Sequence, residues 1–162
     1  PLTALKNLGE SSSSLLDMFI GNHAGTIGET SVIALLIGAL YLTVRKIIDL
    51  RIPLTYIVVF GVCIMLFNKS TDINFLAMQL CGGGLIFGAF FMATDYATSP
   101  ITKSGRYIFG ICLGLFTAIF RTFGNTAEGV SFAIIFCNLL VPLIEKWSIP
   151  KAFGIVKAKG GK

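Results

Sequence analysis

A chain of 162 residues that is 54% hydrophobic and only 13% charged, with a mean hydropathy of +0.82, lies outside the soluble globular class, in which about a quarter of residues carry charge. The composition is that of an integral membrane protein. A formal net charge of +5 does not point to nucleic acid, because no basic stripe interleaved with aromatics accompanies it.

The chain opens on Pro1, with no signal-like charged segment leading into an apolar run. The opening reads as that of an internal fragment with further chain upstream. Residues 1–13 are polar and Ser-rich and read as loop. Ser14-Leu15-Leu16-Asp17 fits a capping box ahead of a short apolar run, 15–20, which is far below the ~20 residues needed to cross a hydrocarbon core. Residues 1–26 are therefore expected to form an outer loop with a short re-entrant segment.

The next stretch, Gly21 to Ser31, is rich in glycine and hydroxyl groups and carries one acid. Thr26-x-x-Glu29 fits a second capping box. Glycines at 21, 25 and 28 permit sharp bends and close approach of a ligand, and a helix N-terminus opening from such a loop suits an anion. The same pattern fits a transmembrane helix that is merely well capped.

Five apolar segments follow, together the expected five-helix transmembrane unit at 27–146. They cover about 27–50, 53–67, 73–93, 107–120 and 130–144. Pro53 opens the second where a missing N–H costs nothing. The third is interrupted by Gly82-Gly83-Gly84 and again at Gly88. Asn138 and Pro142 in the fifth suggest a bend and an interhelical hydrogen bond. Several segments are short, which implies tilt or a protein-lined setting.

Of the thirteen Lys and Arg residues, ten fall on one side of this five-span arrangement: Arg45, Lys46, Arg51, Lys103, Arg106 and five from Lys146 onward. The richer side is expected to be cytoplasmic. That places the start of the chain outside and a basic tail, 147–162, inside. Trp147 and the tyrosines fit interfacial anchors.

Polar residues at membrane depth tend to face a cavity, a partner or a ligand. An outer cluster gathers Asn22, Gly25, Thr26, Gly28, Glu29, Thr30 and Ser31 with Arg121, Asn125 and Glu128. It is either an edge where arginine and acid pair, or a pocket for an anionic ligand. An inner cluster holds Thr94, Asp95 and Thr98 at the end of the third span. Here the glycine triplet would free backbone carbonyls, which survive at depth only against protein or a polar cavity and mark binding sites in transport folds. Close helix packing through small residues is the plainer account of the triplet. Asp95 reads either as a headgroup-level cap or as an acid that holds a cation or proton.

Cys63, Cys81, Cys112 and Cys137 each sit in an apolar run without a C-x-x-C, and read as small buried hydrophobes. His23 stands alone. No metal site is expected, and no P-loop, dinucleotide fingerprint, G-x-S-x-G or paired-carboxylate site occurs.

The ordered stretches GNHAGTIGETSVIALLIGALYL, RIPLTYI, GGGLIFGAFFMATDYATSPIT, RTFGNTAEGVSFAIIFCNLLVPLIE and IPKAFG resemble the RnfD/NqrB family, and SLLDMFIGN and FMATDYATSP lean toward its RnfD branch. The family comprises membrane subunits of the Rnf complex and of the sodium-pumping NADH:quinone reductase. The resemblance implies an all-α fold of ten transmembrane helices in two inverted five-helix repeats, of which this chain is the second.

It also implies an FMN bound by a phosphoester to a threonine of a Ser-x-x-Thr motif that a Pro-Leu stretch follows. The only Ser-x-x-Thr here, Ser99 to Thr102, lacks that Pro-Leu, so the flavin-bearing threonine is expected just upstream of Pro1-Leu2. The flavin would then reach the outer loop. Related NqrB proteins hold riboflavin as well, which makes the Asp95 cluster a candidate for a second flavin or an ion. The implied role is electron transfer between ferredoxin and NAD coupled to sodium or proton export, in a bacterial inner-membrane complex with RnfA, RnfE, RnfG, RnfB and RnfC. The spans alone fit a flavin-free channel or carrier of similar repeat architecture equally well.

Overall fold

A computed structural model describes residues 19–21, 30–68, 72–124 and 129–149, and among them there are helices and turns but no strand. Helix α1, Val32–Val44, starts where Ser31, in an extended conformation, accepts a hydrogen bond from the Ala34 N–H at 3.4 Å. The sequence places the start of this segment near residue 27; Thr30 and Ser31 are non-helical, and the Thr26–Glu29 capping box lies outside the described residues. Helix α1 closes through Lys46, whose φ of 55° makes it the only non-glycine residue in the left-handed region among the described residues.

Helix α2 covers Arg51–Asn68, so Pro53 is its third residue rather than its first. Its missing N–H still falls in the turn that has no intrahelical acceptor. Helix α3, Ile73–Cys81, stops at the glycine triplet. Gly83 and Gly84 both sit at φ 64°, a conformation that side chains oppose and glycine accepts. Helix α4, Leu85–Met92, then leaves at 64° to α3. Gly88 does not break it again. It opens a π-helical stretch, Gly88–Met92, closed by Ala93 N–H donating to the Gly88 carbonyl at 2.8 Å. Without a Cβ, Gly88 lets α4 approach α6: an added methyl would lie 2.4 Å from a Val130 methyl.

Helix α5, Lys103–Phe123, is capped by Thr102 and is longer at both ends than its apolar core implies. Helix α6, Gly129–Ser148, carries Pro142 in its interior. The hydrogen bond expected of Asn138 is not found: its buried Oδ1 has no partner among the described residues.

Three helices, α2, α5 and α6, are long and apolar enough to cross a membrane, and the bent α3–α4 pair makes a fourth if it is one span. Helix α1 has 13 residues, about 20 Å of rise against the ~30 Å of a hydrocarbon core. The described residues thus hold up to four spans where the sequence suggests five, and neither a fifth span nor an inverted repeat follows from them.

The ends of the bundle are marked by contacts. Asp49 pairs with Arg106 at 2.6 Å, and Thr102 donates to Ser148 Oγ at 2.6 Å, which gathers the α1–α2 turn, the start of α5 and the end of α6. At the opposite end the Phe67 and Phe123 rings meet edge to face, 5.9 Å apart. Helix α3 begins near the Phe67 end, whereas Thr94, just past α4, lines the same cavity as Asp49 and Arg106. The bent pair therefore runs from one end to the other, as a broken span rather than a loop that turns back.

The core forms where α2 meets α5. On α5 the Gly110-x-x-x-Gly114 pair lets the backbones touch: a Cβ on Gly110 would lie 3.1 Å from the Ile52 carbonyl, and one on Gly114 would lie 2.9 Å from the Phe60 nitrogen. Small residues at this spacing are the usual device for close helix contact in lipid. Around them Tyr56, Phe60, Phe109 and Leu113 are fully buried. Tyr56 and Thr117 share a buried hydrogen bond of 2.7 Å, which satisfies two hydroxyls where water is absent. Outward, α1 shows Ile33, Leu36, Ile37, Leu40, Tyr41 and Val44 in an exposed stripe of helical period.

Candidate functional site

Breaking a helix inside a membrane leaves its last carbonyls without intrahelical donors, and hydrocarbon offers no replacement. Here the replacement is Arg121, in the last turn of α5. Its Nη1 donates to the Gln79 carbonyl, and its Nη2 donates to the carbonyls of Gly82 at 2.8 Å and Gly83 at 3.0 Å. The guanidinium is buried and lies 5.0 Å from the centre of the Phe60 ring, a cation–π contact. Only a planar fork with several donors reaches three carbonyls at once. From sequence, Arg121 groups with the outer loop, either paired with an acid or lining an anion pocket; the structure places these donors on the carbonyls of the broken span.

Of the other outer-cluster residues, Asn22, Gly25, Thr26, Gly28, Glu29 and Glu128 lie outside the described residues, as does Asn125. Two described edges of the loop meet. Gly21, at φ 99°, approaches Ser31 so closely that a Cβ on it would lie 3.0 Å from the Ser31 Cα. Thr30 is half-buried beside this closure, at the mouth of α1.

At the other end of the bundle, the inner cluster is only partly united. Thr98 Oγ1 donates to Asp95 Oδ2 over a long 3.4 Å, and Asp95 is exposed. Thr94 instead donates back to the Phe90 carbonyl at 2.7 Å and lines a cavity of about 440 Å³ together with Lys46, Asp49, Ser99 and Arg106. Thr102, the threonine of the only Ser-x-x-Thr, accepts from Gly105 N–H at 3.0 Å and caps α5.

Sequence reading misses the residue that organises this end, Asp49. Besides Arg106, it accepts from the Arg51 N–H at 3.0 Å and faces the Arg51 guanidinium at 3.5 Å. Burial on its own raises the Asp49 carboxyl, but the Arg51 N–H and the Arg106 and Arg51 charges outweigh it and hold its pKa below the ordinary carboxylate value. Arg106 also donates from Nε to the Pro100 carbonyl at 3.1 Å, and Glu145 accepts from Ile101 N–H at 3.2 Å. The available signal was a single acid in a basic turn, Arg45 to Arg51, whose charges cannot all be left unopposed.

These features define a helical membrane protein with a broken span locked by a buried arginine and a polar, ion-paired end. Residues 1–154 match the model of the NQR2, RnfD, RnfE family. The chain is 42% identical over 163 residues to the D subunit of the sodium-translocating ferredoxin:NAD oxidoreductase complex of Acetobacterium woodii, covering 98% of this chain and 49% of that protein. It is 39% identical over 152 residues to the D subunit of the proton-translocating ferredoxin:NAD oxidoreductase complex of Clostridium ljungdahlii, covering 93% of this chain and 46% of that one. The D subunit of the ion-translocating oxidoreductase complex of Stutzerimonas stutzeri is 39% identical over 156 residues, with 91% of this chain and 44% of that protein aligned. The chain belongs to the NQR2, RnfD, RnfE family, and it spans about half the length of these relatives.

Proposed function

We propose that this chain is the second half of a D-type subunit of an ion-translocating oxidoreductase complex, in which electron transfer between ferredoxin and NAD drives export of sodium or protons. The observation that carries this reading is identity of about 40% along nearly the whole chain to three relatives named as D subunits of such complexes. Relatives named for sodium and for protons match almost equally well, so the reading covers both ions. Its partners would be the other membrane subunits of such a complex, RnfA and RnfE, with RnfG and the peripheral RnfB and RnfC. The setting would be a bacterial inner membrane, with the Asp49–Arg106 end facing the cytoplasm as the distribution of basic residues favours.

In the same reading the subunit carries FMN on a threonine just upstream of Pro1, and the loop between Gly21 and Ser31 receives it. The described edge of that loop is compatible with the group. The backbone closes on itself at Gly21 and Ser31, Thr30 offers a half-buried hydroxyl with no hydrogen bond among the described residues, and the first N–H groups of α1 open from the same place. Asn22, Thr26 and Glu29 would supply the remaining polar groups. Bound there, the flavin supplies the electron transfer, while the protein holds it and sets its surroundings. At the far end, Asp95 with Thr94 and Thr98 would hold a transported cation or a second flavin, riboflavin.

The test is made on the full-length protein purified within its complex. After acid precipitation it should keep its yellow colour and fluoresce as a flavin on a denaturing gel, and Glu29→Gln should shift the flavin's reduction potential. A colourless protein in an active complex refutes the flavin assignment and favours a flavin-free carrier. Normal electron flow and ion transport in both Glu29→Gln and Asp95→Asn would leave this chain with a purely structural role.

A further inference from the structure

The cavity at the Asp49 end carries more positive charge than its ion pairs consume. Its one carboxylate, Asp49, is engaged by Arg106 at 2.6 Å and by Arg51 at 3.5 Å. Lys46, which also lines the cavity, pairs with no acid among the described residues. Arg106 spends Nε on the Pro100 carbonyl and Nη1 on Asp49, which leaves the Nη2 edge without a partner among the described residues. The Ser99 hydroxyl, on the same wall, makes no hydrogen bond among them either. Of the three other hydroxyls of the lining, two are committed as donors, Thr43 to the Ala39 carbonyl and Thr94 to the Phe90 carbonyl, each at 2.7 Å, and the third belongs to the exposed Tyr96.

The turn that presents Lys46 is strained. A lysine at φ 55° holds a backbone conformation that glycine adopts more readily, yet the position carries a long cationic side chain. Apolar side chains complete the wall: Ile47 and Leu50 line the cavity and are exposed at 44% and 37%. A space of about 440 Å³ is ample for a phosphate and its neighbouring ester groups.

We propose that this cavity binds a phosphate ester anion, held by Lys46, the outer edge of Arg106 and the Ser99 hydroxyl, with the headgroup of a net-anionic phospholipid as its source. The phosphate accepts from all three donors, and Asp49 holds Arg106 in place instead of meeting the ligand. The apolar rim at Ile47 and Leu50 takes the glycerol and the first carbons of an acyl chain, which then follows the exposed face of α1. Basic pockets beside membrane helices recognise anionic headgroups by this combination of point charge and apolar flank. The site is independent of any flavin in the outer loop.

The test uses the full-length protein in its complex, in neutral detergent, with native mass spectrometry and thermal stability as readouts. Phosphatidylglycerol, phosphatidylcholine and inorganic phosphate are added separately. Phosphatidylglycerol should be retained and should raise the melting temperature. Lys46→Gln should weaken its retention by about five-fold, the size of one lysine's attraction to an anionic surface, whereas Lys146→Gln, at the exposed end of α6, should not. Lys46→Gly removes the same amine and relieves the turn, so it should lose the lipid while melting at or above the temperature of the wild type without lipid. Equal protection by inorganic phosphate, abolished by the same variants, keeps the phosphate site but gives it a soluble source. Equal retention of phosphatidylglycerol and phosphatidylcholine, indifference to Lys46, or a flavin recovered from this cavity overturns the proposal.

Discussion

Replacing Arg121 by leucine tests the account of the broken span most directly. The variant keeps an apolar side chain of moderate size on α5 but withdraws every donor from the carbonyls of Gln79, Gly82 and Gly83. Each hydrogen bond from a charged donor is worth ~1.5–3 kcal/mol in isolation, but three bonds from one guanidinium are not additive. The expected loss is about 3–5 kcal/mol, the range seen when one partner of a buried charged contact is removed. Arg121→Lys should restore only part of it, because an ammonium lacks the planar fork.

The assay is equilibrium unfolding of the full-length protein in detergent, with amide hydrogen exchange read at the break. The Gly82 and Gly88 N–H groups, bonded to the Met78 and Gly84 carbonyls, should exchange faster in the leucine variant, while amides in the middle of α2 should not. A leucine variant within about 0.5 kcal/mol of wild type, the range of ordinary surface substitutions, with unchanged exchange at the break, would refute the reasoning.

Four further outcomes follow from the same structure. Gly114→Val should separate α2 from α5, since an added Cβ already lies 2.8 Å from the Val59 Cβ; overpacking of this kind costs about 1–3 kcal/mol or more, measurable as a lower melting temperature. Tyr56→Phe should lose about 1 kcal/mol in unfolding measurements by leaving the buried Thr117 hydroxyl without its partner. Asn138→Leu should be neutral or stabilising in the same assay, because its buried Oδ1 has no partner to lose among the described residues. The Asp49 carboxyl titrates below its unfolded value, so its contribution is present above the ordinary carboxylate range and is lost as pH falls through the lowered folded value; Asp49→Asn should flatten that part of the acid-unfolding profile.

Much of this architecture was legible because membrane segments announce themselves by hydropathy. All five apolar runs contain a helix, and the glycine triplet marks the interruption of the third, because three consecutive residues without side chains neither favour helix nor resist a positive φ. Helix ends were less legible. Serine at 31 displaced the expected start of α1, and Thr102 lengthened α5, since a cap is chosen by the backbone as it forms and several hydroxyls compete for the role. The role of Gly88 was misjudged for a related reason: a lone glycine looks like a break, whereas here it relieves crowding against Val130.

The pairings across the bundle were not legible at all. Arg121 reads as a surface cation until its distance to Gly82 is known, and Asp49 reads as one charge in a basic turn until Arg106 arrives from 57 residues away. Such contacts depend on how helices are arranged, which a local pattern does not encode. Gly110-x-x-x-Gly114 was in plain sight, but only the neighbouring backbone of α2 gives that spacing its meaning.

The contact between α2 and α5 has a mechanical consequence. With the two backbones touching at Gly110 and Gly114 and the large side chains around them fully buried, that pair behaves as a stiff spine. Helix α3, which buries none of its residues fully, is fastened to the spine by the Arg121 guanidinium and by the partly buried Phe75 and Leu80. Probes on the two should therefore report different things: spin labels across α2 and α5 should keep a fixed separation, and any conformational displacement should be registered first by a label on α3.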